Sequence, residues 1–134
     1  MRIGPALAVL AAAMVVLAGP AAASTTRVVH KSDSGTTITV HKGDRLVVRL
    51  RECAPCGYAW KTAKKPDASV LKRIKSVYVA RTAPRGGPPV VGGAGTRVIT
   101  YRARGTGRTS LRLAYRSPSG MTGDTFSLRV RVKR

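Results

Sequence analysis

The sequence is poor in acidic residues, in histidine and in cysteine, and each shortage excludes a class of chemistry. Its five carboxylates are scattered along the chain, so paired-carboxylate catalysis or a hard-cation cage would have to gather them from distant segments. Neither of the two histidines has an evident serine or aspartate partner, and no Gly-x-Ser-x-Gly elbow is present. We therefore predict that the protein is not an enzyme and uses no metal or other cofactor. The carboxylates are Asp33, Asp44, Glu52, Asp67 and Asp124.

A long hydrophobic run is also missing. The apolar segment Ala6–Ala18 has 13 residues, whereas a membrane-spanning helix needs ~20. Arg2 precedes this segment, and a Gly-Pro pair and the small residues Ala21–Ala23 follow it, which is the pattern of a secretory signal peptide. We predict residues 1–23 as a cleaved signal peptide and 24–134 as one mature domain, secreted or extracytoplasmic and without a membrane span. An uncleaved anchor is the weaker interpretation.

Acidic residues are far fewer than basic residues. The chain has 25 Lys and Arg against five acids, a formal net charge of +20. Solvated outer strand faces explain part of this excess, but +20 exceeds what solubility requires. Acidic wall polymers, anionic lipid headgroups, an acidic protein or other polyanions are candidate partners. Nucleic acid is disfavoured as a partner, because the 4% aromatic content leaves few side chains for base stacking. Export from the cell disfavours it further.

The hydrophobic residues that are present recur with a period of two. Leu46, Val48 and Leu50 alternate with polar or smaller residues, and similar runs occur at 37–40, 97–101, 110–115 and 128–132. Turn-forming residues separate these runs. The pattern predicts an all-β fold, an antiparallel β-sandwich of about seven or eight strands. Asp67–Lys75 could form a turn or two of helix, and Thr62–Ser69 and Thr82–Gly95 are predicted as long loops.

The only two cysteines, Cys53 and Cys56, stand close together in an exported chain. A local disulfide is the default prediction; a thioredoxin-like redox pair and a zinc site with His30 and His41 are weaker alternatives. Closing so short a ring contributes only about 2 kcal/mol, so its main effect would be to stiffen a loop tip. Trp60, the single tryptophan, is predicted as a core anchor.

Three segments in order resemble the binding loops of the chagasin family of cysteine-peptidase inhibitors. The family's first loop reads Asn-Pro-Thr-Thr-Gly-Tyr-x-Trp, its second Gly-x-Gly-Gly before a strand, and its third Arg-Pro-Trp after a strand ending in Tyr. The first segment keeps the Gly-Tyr-x-Trp half of its motif, the second has alanine in place of one glycine, and the third keeps only Tyr115 and Pro118 in register. The resemblance covers about 36–132. The loop residues it implies are Cys53, Ala54, Pro55, Cys56, Gly57 and Tyr58 in the first loop, Gly92, Gly93, Ala94 and Gly95 in the second, and Arg116, Ser117, Pro118 and Ser119 in the third.

This resemblance implies an immunoglobulin-like sandwich that reversibly inhibits papain-like cysteine peptidases. In that mechanism three loops at one end of the sandwich enter the active-site cleft, the first of them over the catalytic thiol, and the inhibitor is expected to be a monomer. Serine replaces the family's arginine and tryptophan at Ser117 and Ser119. Each loss could remove ~2 kcal/mol of binding. The rival hypothesis is a basic envelope-associated binding module on the same scaffold that has lost inhibitory activity.

Overall fold

In a computed structural model, the structure describes residues 4, 23–81 and 94–134. Apart from Gly4 and Ala23, the predicted signal peptide lies outside the described residues, and so do Gly92 and Gly93 of the predicted second loop. In this part of the chain no helix is long and apolar enough to cross a membrane.

Eight strands and one short 3-10 helix make up the described part of the chain, in agreement with the all-β prediction. The alternating runs of the sequence all lie within strands. The strands are β1 (Thr26–Val29), β2 (Thr36–His41), β3 (Arg45–Glu52), β4 (Ala59–Lys64), β5 (Leu71–Val79), β6 (Gly95–Ala103), β7 (Gly107–Arg116) and β8 (Thr122–Lys133), and the 3-10 helix is Lys31–Asp33.

The strands form two four-stranded sheets, in the orders β1-β3-β6-β5 and β2-β8-β7-β4. The prediction of an antiparallel sandwich needs one correction, because β1 pairs with β3 and β2 pairs with β8 in parallel. The other four pairings are antiparallel. Both parallel pairs add an early, short strand to the edge of a sheet whose other strands come later in the chain.

The core lies between the two sheets and consists of the inward-facing residues of alternating strands. Leu46, Val48 and Leu50 from one sheet meet Phe126 and Leu128 from the other, all with side chains at most 1% exposed. Tyr101 is also buried in this core, and burial raises the pKa of its hydroxyl to about 12. Removal of this apolar surface from water is the main source of the fold's stability.

The segment Asp67–Lys75, in which the sequence allowed a turn or two of helix, is mostly strand. One turn forms, in which the amides of Val70 and Leu71 both donate to the carbonyl of Asp67, and β5 then begins at Leu71. The predicted loop Thr62–Ser69 is also shorter than expected, because β4 continues to Lys64. A bulge between Arg73 and Lys75 interrupts the alternation of β5, so its period of two is hidden in the sequence.

Candidate functional site

The three connections predicted as binding loops leave the sandwich at the same end. In one sheet the last residue of β3, Glu52, pairs with the first residue of β6, Gly95, and Val79 near the end of β5 pairs with Thr96. In the other sheet, Arg116 at the end of β7 pairs with Ala59 and with Thr122, the first residues of β4 and β8. We call this the loop end, and its three connections the first (53–58), second (80–94) and third (117–121) loops.

The first loop is a compact, stiffened turn. Cys53 and Cys56 form the predicted disulfide, which is thereby confirmed. Inside the loop the amide of Cys56 donates to the carbonyl of Cys53 (3.2 Å), and that of Gly57 donates to the carbonyl of Ala54 (2.9 Å). Ala54, Pro55 and Cys56 are exposed. The loop therefore presents a small tip whose backbone is fixed by covalent and hydrogen bonds.

The third loop is closed by its own hydrogen bonds. The amide of Ser117 donates to the carbonyl of Met121 (2.9 Å), and the amide of Met121 donates to the Ser117 hydroxyl (3.1 Å). The hydroxyls of Ser117 and Ser119 are 2.9 Å apart and share a hydrogen bond. Met121 is 72% exposed, more than any other large hydrophobic side chain in the described part of the chain. The loop therefore offers hydroxyls and one flexible apolar side chain.

The first and third loops touch at Gly57 and Pro118. Gly57 has φ +80°, a conformation that favours glycine, and a Cβ there would lie 2.5 Å from Cγ of Pro118. Only a residue without a side chain allows this approach. Gly57 therefore allows the two loops to pack against each other and form one surface.

An aromatic stack supports that surface from below. The ring of Tyr115 lies between Tyr58 (centroids 5.1 Å apart) and Trp60 (4.9 Å). Its hydroxyl accepts a hydrogen bond from the amide of Cys53, 2.8 Å away, and so ties β7 to the start of the first loop. Trp60 is buried (8% exposed), and its ring nitrogen donates to the carbonyl of Arg51. The stack therefore fixes the position of the first loop relative to the core.

A buried ion pair fixes the root of the first loop and was not predicted from the sequence. Glu52 is fully buried, accepts a hydrogen bond from the amide of Trp60 (2.8 Å), and pairs with the guanidinium of Arg97 at 2.8 Å. Arg97 also lies over the ring of Tyr78, 5.8 Å from its centroid. A local signal did exist, because Glu52 continues the inward-facing series of Leu46, Val48 and Leu50. An acid in a core position of a strand requires a partner.

The second loop is described only at its two ends. Ala94 is half-buried and Gly95 is buried at the start of β6. A Cβ on Gly95 would lie 2.6 Å from the hydroxyl end of Tyr78, so this glycine is needed for the close packing of β5 against β6. Gly95 was predicted as a residue of the second binding loop; it lies at the start of β6, and its own surface is covered.

A cleft of about 520 Å³ opens between the first and second loops. Arg51 and Arg81 contribute positive charge to its wall, and Lys31 and Asp124 form an exposed ion pair at 3.3 Å on the opposite side. Among residues 23–81 and 94–134 no three His, Cys, Asp or Glu side chains come together as a metal site would require. The loop end thus combines a stiff tip with hydrogen-bonding groups, which suits binding to another protein.

Comparisons with known proteins agree with the sequence resemblance. Residues 39–130 match the family model described as Chagasin family peptidase inhibitor I42. No curated protein matches the chain.

Several solved structures share the fold of this chain. The cysteine protease inhibitor EhICP2 from Entamoeba histolytica has a TM-score of 0.71 at 20% identity over 86% of this chain and 100% of its own. Amebosin has a TM-score of 0.62 at 26% identity, covering 82% of this chain and 98% of its own. PbICP-C, solved in complex with falcipain-2, has a TM-score of 0.50 at 16% identity, covering 82% and 91%. The family match spans most of the chain, including the first and third loops, and the two-sheet fold agrees with it: the protein belongs to the chagasin family of peptidase inhibitors.

Proposed function

We propose that the protein is a secreted, reversible inhibitor of papain-like cysteine peptidases, and that its loop end enters the active-site cleft. The observation that carries this proposal is the contact of Gly57 with Pro118, which joins the first and third loops at the end of a chagasin-family scaffold. The first loop, at residues 53–58, covers the catalytic thiol, and the other two loops contact the cleft walls. The second loop takes part through residues 92–94.

The stiffness of the first loop supports binding without cleavage. A peptidase cleaves a segment that can adopt an extended conformation in its cleft, whereas the disulfide and two internal hydrogen bonds hold residues 53–57 in a turn. Little conformational entropy is then lost on binding, because the tip is already fixed. This preorganisation offsets part of the binding energy lost with the family's arginine and tryptophan in the third loop.

Met121 is a candidate replacement for the lost tryptophan contact. Its exposed thioether side chain stands on the third loop, four residues after Ser117. Methionine adapts to irregular apolar surfaces, so it can contact a cleft wall without the shape demands of an indole. Ser117 and Ser119 supply hydrogen bonds in place of the family's arginine.

Secretion is part of the same proposal. The N-terminal pattern of residues 1–23 supports export, and the disulfide between Cys53 and Cys56 suits an oxidising compartment. The mature domain would then meet peptidases outside the cytoplasm as a monomer.

Titration against papain tests the proposal. The purified protein, with its disulfide intact, should inhibit papain competitively, and Ala54→Trp should raise the inhibition constant at least about tenfold, a loss of roughly 1.4 kcal/mol. Ala54 is exposed at the tip, and its carbonyl accepts the hydrogen bond from the amide of Gly57. The substitution keeps this backbone bond, so the new ring blocks entry into the peptidase cleft without disturbing the turn.

Ala68→Trp is the matched control for this experiment. Ala68 is also an exposed alanine in a turn, but it lies in the connection from β4 to β5, at the other end of the sandwich. This variant should inhibit like the unmodified protein. Equal inhibition by both variants would contradict the loop-end mechanism. Absence of inhibition by any folded form would instead favour the basic binding module that has lost inhibitory activity.

A further inference from the structure

The outer face of the sheet β2-β8-β7-β4 carries an open groove that the inhibitory mechanism does not use. The groove has a volume of about 910 Å³. Its basic side chains, all exposed, are Lys64, Lys65, Arg108, Arg129 and Arg131. Hydroxyl groups of Thr37, Thr39 and Ser110 also line the groove.

The sheet register concentrates positive charge in this groove. Arg108 lies directly opposite Arg131, and Lys64 directly opposite Arg112 on the adjoining surface. Like charges in directly opposed positions destabilise a sheet. The two opposed pairs lie on the same face of the sheet, with the row of Ser110 and Arg129 between them.

Of the five acids only Asp67 lies at this groove, so most of its positive charge is uncompensated. The three ion pairs in the described part of the chain are Lys31–Asp124, His41–Asp44 and Arg97–Glu52, all outside the groove. Asp33 caps the backbone at His30. Asp67 lies at the groove rim, where its carboxylate already accepts hydrogen bonds from the amide and hydroxyl of Ser69. Arg129 donates a hydrogen bond to the carbonyl of Gly35 (3.4 Å), whereas none of these ion pairs involves Arg108 or Arg131, whose guanidinium groups can face an external anion.

The groove chemistry fits a carbohydrate polyanion better than a nucleic acid. Arginine forks bind carboxylate or sulfate groups through paired hydrogen bonds, and threonine and serine hydroxyls can bond sugar hydroxyls. No aromatic side chain lines the groove in the described part of the chain, so bases would find no stacking surface there. We propose that this groove binds a linear acidic polysaccharide.

The groove is separate from the loop end. Arg129 follows the first residue of β8, Thr122, by seven positions, which corresponds to about 24 Å along a strand at ~3.4 Å per residue. A polysaccharide in the groove would therefore leave the loops free. The protein would be held on an acidic matrix while its loop end remains able to bind a peptidase.

The opposite sheet provides a matched control pair. On its outer face Arg45 lies directly opposite Arg102, the same arrangement as Arg108 and Arg131. Half-buried Val47 and Val98 and exposed Val77 interrupt that face. Lys72 lies opposite Arg102 in the same row, so this surface is also cationic, but among the described residues no hydroxyl side chain lines the pocket at Arg102. Arg45→Gln with Arg102→Gln therefore removes the same charge from a basic surface that lacks the hydroxyl groups of the groove.

Calorimetric titration with a heparin dodecasaccharide tests the proposal. Arg108→Gln with Arg131→Gln should weaken binding at least about fivefold, while the control pair changes it less than about twofold. Lys65→Gln, in the connection after β4, gives a second groove variant should the double variant fold poorly. Equal losses in groove and control variants, or no binding by the unmodified protein, would overturn the proposal. A single-stranded DNA of equal charge that binds as tightly and loses affinity equally in the groove variant would also overturn it.

Discussion

Glu52 is the residue through which the core of the sandwich fixes the position of the first loop. Its carboxylate accepts hydrogen bonds from Trp60 at the start of β4 and from Arg97 on β6, so it joins both sheets at the root of the loop. Leucines at neighbouring inward positions predicted the buried face. The partner could not be predicted, because Arg97 is 45 positions away and pairing at that distance depends on the fold.

Glu52→Gln is expected to destabilise the fold by about 1–3 kcal/mol, because it removes the charge that Arg97 faces inside the protein and leaves a donor beside a guanidinium. Urea unfolding measures the change. Asp124→Asn is the control, since that carboxylate and its partner Lys31 are about half exposed, and its cost should stay below ~1 kcal/mol. Equal costs for the two variants would show that the buried pair has no special role.

Asp44 makes the stability depend on pH. Hydrogen bonds from the amides of Thr25 and His41 hold the pKa of its carboxyl below the usual range. A lowered pKa in the folded state gives stability that is present above the unfolded value of about 3.9 and is lost as the pH falls through the folded value.

Asp44→Asn should therefore lower the unfolding free energy most above about pH 4, and the difference from the unmodified protein should shrink at lower pH. Chemical unfolding at a series of pH values between 2 and 7 measures both curves. A difference that stays constant across this range would exclude the carboxylate's charge as its cause.

At the scale of elements, the contact between the first and third loops is open to a direct test. Gly57→Ala should cost about 1–2 kcal/mol, from the positive φ and from the clash with Pro118. Gly35 has a similar φ of +83° with nothing within 4 Å of a Cβ, so Gly35→Ala isolates the first contribution.

Pro118→Ala removes the ring atom with which the new Cβ collides. Added to Gly57→Ala, this substitution should recover part of the lost stability, with a coupling free energy of at least ~0.5 kcal/mol. Added to Gly35→Ala, it should recover none. Urea unfolding of the single and double variants supplies the four free energies of each cycle. Additive effects of Gly57→Ala and Pro118→Ala would mean that the two loops are energetically independent.

Hydrophobic alternation in the sequence predicted most of the strands but not all of them. Alternation predicted β2, β3, β6, β7 and β8, because each of these strands buries one face. It failed for β5, an edge strand with a bulge and mostly exposed side chains, where the sequence allowed a turn or two of helix within Asp67–Lys75. The parallel pairings of β1 and β2 were missed, since they depend on long connections and not on any local pattern.

At the scale of the molecule, the positions of the loops depend on topology that the sequence indicated only through a family resemblance. The register of the sheets places the roots of all three loops at one end, which no local motif specifies. The charge was plain from composition, but its concentration in one groove follows from the pairing of β7 with β8. The two proposed surfaces should differ in their response to salt, because heparin binding rests on charge and inhibition on shape.

Protection of the papain thiol tests whether the loop end occupies the active-site cleft. Papain is treated with iodoacetamide in the presence of increasing amounts of the protein, and alkylation of its catalytic cysteine is followed by mass spectrometry. The cysteines of the protein are both in the disulfide and do not consume the reagent. We expect saturable protection that persists in 0.5 M salt, is kept by Ala68→Trp and needs at least about tenfold more of Ala54→Trp. Alkylation of papain at the full rate with the protein in large excess would contradict the loop-end mechanism.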